Sequence, residues 1–198
     1  MIKIFLATGN KNKIKEISAI LPENKFKVET FSDRPDMPQT VEDGNTLREN
    51  SEKKAFACAR YFKMPALADD TGLEVEFLGG APGVYSARWA GEGCSYDDNN
   101  LKMLKEMNGV PKEKRKARFV CCITLAYPDG TLFSFEGSTE GYISEEKLGK
   151  EGFGYDPLFY IPEYGLTYAQ MPQELKNKIS HRAKALNLFA RHVEKYGI

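Results

Sequence analysis

Two adjacent carboxylates, Asp69 and Asp70, close the short apolar run Leu67-Ala68 and stand directly before Thr71-Gly72, so acids meet a turn at a strand end. A strand sends successive side chains to opposite faces, which groups Asp70 with Ala66 and Ala68 and Asp69 with Leu67. Small neighbours leave room for a ligand beside Asp70, and a carboxylate there can hold a hard cation and polarise water. A solvated turn that caps the strand is the competing reading, since Asp and Gly dominate turns for local reasons.

Residues suited to an anion lie at the N-terminus. Thr8, Gly9, Asn10, Lys11, Asn12 and Lys13 follow the apolar run Ile2 to Ala7 and precede a helical pattern with Ile14, Ile17 and Leu21 on one face. Such a strand, glycine turn and helix start aims free backbone N–H groups at one point, where the helix dipole also favours negative charge. Lys11 and Lys13 add full charges. The glycine spacing is too short for a Walker loop and no Gly-Lys-Ser/Thr follows. A plain structural turn is the alternative.

The C-terminal third carries a third group. Gly152-Phe153-Gly154-Tyr155-Asp156-Pro157 sets two aromatics and an acid in a loop before Leu158-Phe159-Tyr160. An aromatic face beside a carboxylate can stack on a base and accept hydrogen bonds from its edge, although aromatics near strands usually pack into cores. Ser180 reads as the N-cap of the last helix, with Ala183, Leu186, Ala190 and Val193 inward. Arg182 then falls in the first turn, where a cation opposes the dipole by roughly 0.3–1 kcal/mol. A residue set against local preference is a functional candidate, and Arg182, beside His181, can donate to a carbonyl-bearing base.

The elements that must position these groups are legible in outline. Glu42-Asp43-Gly44-Asn45-Thr46 leads into a helix running to about Phe62, with Leu47, Ser51, Ala55, Cys58 and Phe62 toward the core and Asn50 and Lys54 on another stripe. Gly79-Gly80-Ala81-Pro82-Gly83 reads as a rigid loop before the aromatic-bearing stretch Val84 to Trp89. Ser95 to Met107 has helical spacing with Leu101 and Leu104 inward. Phe119, Cys121, Ile123, Leu125 and Tyr127 alternate as one strand face, and Pro128-Asp129-Gly130 turns the chain into a strand from Thr131 to Glu136.

Bulk properties exclude several classes. A chain of 198 residues is read as a single domain over 1–198, with room for two lobes. Lys plus Arg equals Asp plus Glu at 28 each, which argues against a nucleic-acid groove or a polybasic membrane patch. No apolar run is long enough to span a bilayer and no signal-peptide pattern opens the chain, so a soluble cytoplasmic protein is expected. The 4 cysteines lack metal or disulfide spacing and there are 2 histidines, so a metal, if used, is best read as Mg²⁺ on carboxylates.

Six segments together resemble the inosine triphosphate pyrophosphatase family, which acts on non-standard purine nucleotides. They are Thr8-Gly9-Asn10-x-x-Lys13, Glu49-Asn50-x-x-x-Lys54-Ala55, Ala68-Asp69-Asp70-Thr71-Gly72-Leu73, Gly79-Gly80-Ala81-Pro82-Gly83-x-Tyr85-Ser86-Ala87-Arg88, Phe153-Gly154-Tyr155-Asp156-Pro157 and Ser180-His181-Arg182-x-x-Ala185-Leu186. They occur in the family's order and span nearly the whole chain. Ser51 stands where the family often has Ala, and Thr71 where bacterial members often have Ser.

The resemblance implies an α/β fold, an elongated mixed β-sheet flanked by helices with two lobes and a central cleft, assembled as a homodimer. It implies Mg²⁺-dependent hydrolysis of ITP, dITP or XTP to the monophosphate and pyrophosphate. By motif position, Thr8 to Lys13 and Lys54 would hold the triphosphate, Glu42 and Asp70 the metal, and Asp70 would accept the proton. Thr71 joins the substrate-binding set, and Phe153, Gly154, Tyr155, Asp156, Lys176, His181 and Arg182 would surround the nucleoside. A pyrophosphatase for modified pyrimidine nucleotides and a nucleotide sensor without turnover are the competing functions.

Overall fold

Ile4, Phe5, Leu6 and Ala7 are consecutive and all buried, the pattern of a strand covered on both faces. The computed structural model describes residues 1–34, 37 and 40–197. Its strands are β1 (Ile2–Leu6), β2 (Phe26–Glu29), β3 (Ala66–Val75), β4 (Pro82–Gly83), β5 (Lys116–Ala126), β6 (Leu132–Ile143), β7 (Phe159–Ile161) and β8 (Leu166–Thr167). The α-helices are α1 (Lys11–Ile20), α2 (Leu47–Phe62), α3 (Tyr96–Glu106), α4 (Gln173–Ile179) and α5 (His181–Tyr196). The expected mixed α/β class is thereby met. None of the described helices is long and apolar enough to cross a membrane.

The chain forms two compact units, one of Met1–Asp70, Cys121–Gly137 and His181–Ile198, the other of Thr71–Val120 and Ser138–Ser180. In the first, β1 pairs in parallel with β2 on one side and β3 on the other. The crossovers β1-α1-β2 and β2-α2-β3 run in opposite directions across the sheet, so a right-handed path in each puts α1 and α2 on opposite faces. Accordingly Ile4, Leu6 and Leu67 pack with Ile17 of α1 and Leu186 and Phe189 of α5, while Phe5, Ala66 and Ala68 pack with Ala55, Cys58 and Ala59 of α2. The strand order β2-β1-β3 therefore reverses direction at β1, and such a switch point leaves a crevice beyond the C-terminal ends of the strands. Leu6 is paired with Leu67, which sets Thr8 level with Asp69, but β3 continues unbroken to Val75, so the two acids lie within the strand and not at the turn expected to end it.

The second unit has its own core, in which Met103, Met107, Phe119, Leu158, Phe159 and Tyr168 are buried together. Two expectations are corrected. Leu101 is 53% exposed, and Met103 takes the inward place on α3 expected of it, with Met107, which caps the helix, buried beside it. Leu104 is only partly buried against that core. Strand β6 also runs well past Glu136, to Ile143, through Gly137 and Gly141. These glycines accommodate close approach: an added Cβ would stand 2.3 Å from the His181 carbonyl oxygen at Gly137 and 2.6 Å from that of Tyr160 at Gly141. A sequence pattern reads such glycines as a strand end.

Candidate active site

At the end of β1 the chain turns into α1 with Asn10 as N-cap. Its Oδ1 accepts from the amides of Asn12 and Lys13, at 3.0 and 3.3 Å, and the Asn10 amide donates to Thr8 Oγ1 at 3.2 Å. The expected nest of free amides is therefore narrower than the motif suggests. Two first-turn donors are capped internally, because a side-chain oxygen at the cap reaches the N2 and N3 positions. Lys11 and Asn12 are exposed, and Gly9 has nothing within 4 Å of where a Cβ would stand, so this turn is open to solvent.

Strand β3 divides its acids as expected. Asp69 faces the α1/α5 side, fully buried: Lys13 Nζ lies 2.9 Å from its Oδ1, and Arg182 donates Nη2 to its Oδ2 at 3.0 Å. Arg182 Nε donates to the same oxygen at 3.2 Å, and Nη1 donates to Glu16. Burial works against the Asp69 carboxylate, but the cations of Lys13, Arg182 and Lys54 outweigh it and hold it well below the usual carboxylate range.

Arg182 is itself 1% exposed, and its guanidinium donates to two carboxylates. This also explains its position. Hydrogen bonds to charged partners contribute about 1.5–3 kcal/mol each, more than the roughly 0.3–1 kcal/mol dipole penalty of a first-turn cation. Ser180, extended at φ −68° and ψ 158°, precedes α5, and His181 is buried beside Arg182.

Asp70 faces α2. Lys54 Nζ donates to Asp70 Oδ1, to Glu42 Oε2 and to the Asp69 carbonyl oxygen, each at 2.9 Å. Asn50, one helical turn before Lys54, donates Nδ2 to Asp70 Oδ2 at 3.4 Å. The expected stripe of Asn50 and Lys54 thus converges on one carboxylate. Burial raises the Asp70 carboxyl above its ordinary value, Lys54 and Lys13 oppose that, and Glu42 adds to it. A carboxyl so placed can exchange a proton nearer neutral pH than a free aspartate. The adjoining Thr71 is half-buried.

The other expected residues lie in the second unit. Asp156 is buried and Oδ2 accepts from the Phe153 amide at 2.8 Å and from Lys176 Nζ at 2.5 Å. Lys176 Nζ also stands 5.1 Å from the Phe153 ring centroid and 5.4 Å from that of Tyr168. Asp156 therefore fastens its own loop through Oδ2. Gly154, at φ 63°, adopts the left-handed turn that favours glycine, and its carbonyl accepts from Asn100 Nδ2 at 2.9 Å. Tyr155 is buried with its hydroxyl on the Ser86 carbonyl, leaving Phe153 as the half-exposed aromatic of the loop.

Sequence reasoning missed Glu16 and understated Asn50. Glu16 is a buried acid adjoining the inward Ile17, and its signal was a carboxylate next to an apolar stripe. Ser51, where the family often has Ala, bonds Thr124 Oγ1 at 2.7 Å and the Arg48 carbonyl at 2.9 Å, so the extra hydroxyl is satisfied.

A parallel α/β switch point carrying lysines, paired carboxylates and a helix N-terminus defines a protein of the polyanion-handling class, with oxygen donors suited to a hard cation. The model of the Ham1 family matches residues 4–192. A dITP/XTP pyrophosphatase of Desulforamulus reducens is 50% identical over 185 residues, 93% of this chain and 92% of that protein. One of Geobacter sulfurreducens is 47% identical over the whole of both chains. The Ham1 protein structure from Staphylococcus aureus superposes with a TM-score of 0.87 at 39% identity, covering 98% of each chain. The chain belongs to the Ham1 family, and the resemblance drawn from its motifs is borne out.

Proposed function

We propose that this protein hydrolyses non-standard purine nucleoside triphosphates, ITP, dITP and XTP, to the monophosphate and pyrophosphate. The observation that carries the reading is the convergence of Asp70 and Glu42 on one lysine ammonium at 2.9 Å each. Relatives named dITP/XTP pyrophosphatase, aligned over nearly the full chain, supply the substrate class.

The donor set fits Mg²⁺. Both groups are hard carboxylate oxygens, and among the described residues no cluster of three or more acids, histidines or cysteines could cage a metal. Mg²⁺ is commonly held by one or two carboxylates, with substrate phosphates and water completing its shell. Asp70 and Glu42 would hold it, and it would supply charge neutralisation at the phosphates.

The chain's own groups do the rest. Thr8, Gly9, Asn10, Lys11, Asn12 and Lys13 with Lys54 receive the triphosphate, the lysines balancing charge that builds on the leaving pyrophosphate. Asp70, its carboxyl raised by burial, accepts the proton of the attacking water. Phe153 offers a ring for the base, with Gly154, Tyr155, Lys176 and His181 in the nucleoside set and Thr71 in the wider substrate-binding set. Asp156 acts by holding Phe153 and Lys176, and Arg182 by fixing Asp69. The proposal includes a cytoplasmic homodimer that cleanses the nucleotide pool.

Product analysis with Mg²⁺ and a panel of ITP, XTP, dITP, GTP, ATP and dUTP tests it, with phosphate read with and without added inorganic pyrophosphatase. Phosphate that appears only with the added enzyme, mainly from ITP, dITP or XTP, is the expected result. Product mainly from dUTP would transfer the activity to modified pyrimidines, and binding without product would make the protein a sensor.

A further inference from the structure

The loop that carries Glu42 is fastened to α2 by two consecutive side chains. Glu49 Oε2 accepts from the Asn45 amide at 2.7 Å, completing the helix start whose N-cap Thr46 accepts from the Glu49 amide at 3.1 Å. Asn50 Oδ1 accepts from the Gly44 amide at 2.8 Å. The approach is so close that a Cβ at Gly44 would stand 2.6 Å from Asn50 Oδ1 and 2.9 Å from Glu49 Cβ. The other end of the same amide, Nδ2, reaches Asp70 Oδ2 at 3.4 Å, while Lys54 takes Oδ1. Asn50 is 1% exposed, so a polar side chain in the interior of α2 has both ends committed.

An asparagine placed this way is suited to couple two acids. It offers an acceptor to one loop and a donor to one carboxylate without a charge of its own, and it keeps both roles at every pH. Groups that hydrogen-bond metal-ligating carboxylates orient them, and their loss typically costs about 10–100-fold in metal affinity or activity.

We propose that Asn50 is a positioning residue that locks Asp70 and the Glu42 loop into one divalent-cation site through its two-ended amide. The inference rests on the hydrolase reading above. Asn50→Ala removes both arms, whereas Asn50→Asp keeps the acceptor for Gly44 and removes the donor to Asp70. Mn²⁺ binding is followed by electron paramagnetic resonance in the absence of nucleotide, beside kcat and KM for ITP and the Gly44 amide resonance.

In Asn50→Ala the Mn²⁺ dissociation constant is expected to rise and kcat to fall, each by about 10–100-fold. KM for ITP at saturating metal should stay within about threefold, the split expected when a reacting group is misplaced but the substrate is still held. Asn50→Asp should retain the Gly44 resonance and still lose kcat. A folded variant of either kind with Mn²⁺ binding and kcat within about twofold of wild type overturns the positioning role. Wild-type protein that binds Mn²⁺ but hydrolyses no triphosphate overturns the hydrolase reading instead, and this proposal with it.

Discussion

Asp69 and Asp70 are one peptide bond apart on β3, yet their surroundings push them in opposite directions. On the α1/α5 side, Asp69 is closed off and over-neutralised by Lys13 and Arg182, with Glu16 sharing the guanidinium. On the α2 side, Asp70 retains slight exposure, shares one ammonium with Glu42, and is held above the ordinary carboxylate value. The lesson is that the same residue type serves anchoring or chemistry according to how fully its charge is compensated. A carboxylate held far below its usual range has little tendency to take a proton, whereas one raised by burial is poised to do so.

Exchanging each acid for its amide is the sharpest way to break this contrast. Asp70→Asn should lower kcat by about 10²–10⁴-fold, the usual worth of a positioned base, with nucleotide binding largely intact. Its stability should hold or rise slightly, because an ionised group with a raised value costs the folded state free energy at neutral pH. Asp69→Asn should do the reverse in stability, since it strands Arg182 and Lys13. Denaturant melts and steady-state rates measured on both variants decide the matter. Wild-type rates in Asp70→Asn would remove it from catalysis.

Arg182→Met probes the anchoring side alone. Removing one partner of a buried ion pair typically costs about 3–5 kcal/mol, because Asp69 and Glu16 are left buried with less compensation. We expect a loss of that size in urea unfolding. A loss under about 1 kcal/mol would mean that the guanidinium is not the main support of Asp69.

The asymmetry between the two sides also marks what the sequence could reveal. The alternation of β3 was enough to send Asp69 and Asp70 to different faces, and helical spacing was enough to bring Asn50 and Lys54 to one stripe, because both are local periodicities. Arg182 was singled out for the right physical reason, a cation against a helix dipole, but its partners lie on β3 and α1, 113 and 166 residues away in the chain. No local pattern encodes such a pairing. The same limit applies to Asp156 and Lys176, whose contact closes a loop onto a helix, and to Gly137 and Gly141, which look like strand breakers until the neighbouring carbonyls are seen.

The finest test concerns how much of Asp70's elevation comes from its neighbour. Glu42 repels the ionised form, Lys54 and Lys13 favour it, and burial outweighs each of them. In metal-free Glu42→Gln the repulsion disappears while burial and the lysines stay, so the Asp70 titration midpoint should move toward lower pH. The size is limited by solvent. The Glu42 side chain is 39% exposed, so its interaction is screened to the scale of surface pairs, at most about 1 kcal/mol, or about 0.7 of a pH unit. Carboxyl carbon chemical shifts followed from pH 3 to 8, a range of about five units around the ordinary value, would read it directly. A midpoint that rises would mean that Glu42 acts mainly by holding Lys54 against Asp70, since loss of that hold weakens the attraction that lowers the midpoint. A fall leaves like-charge repulsion as the larger influence, which a divalent cation held by the two acids would relieve.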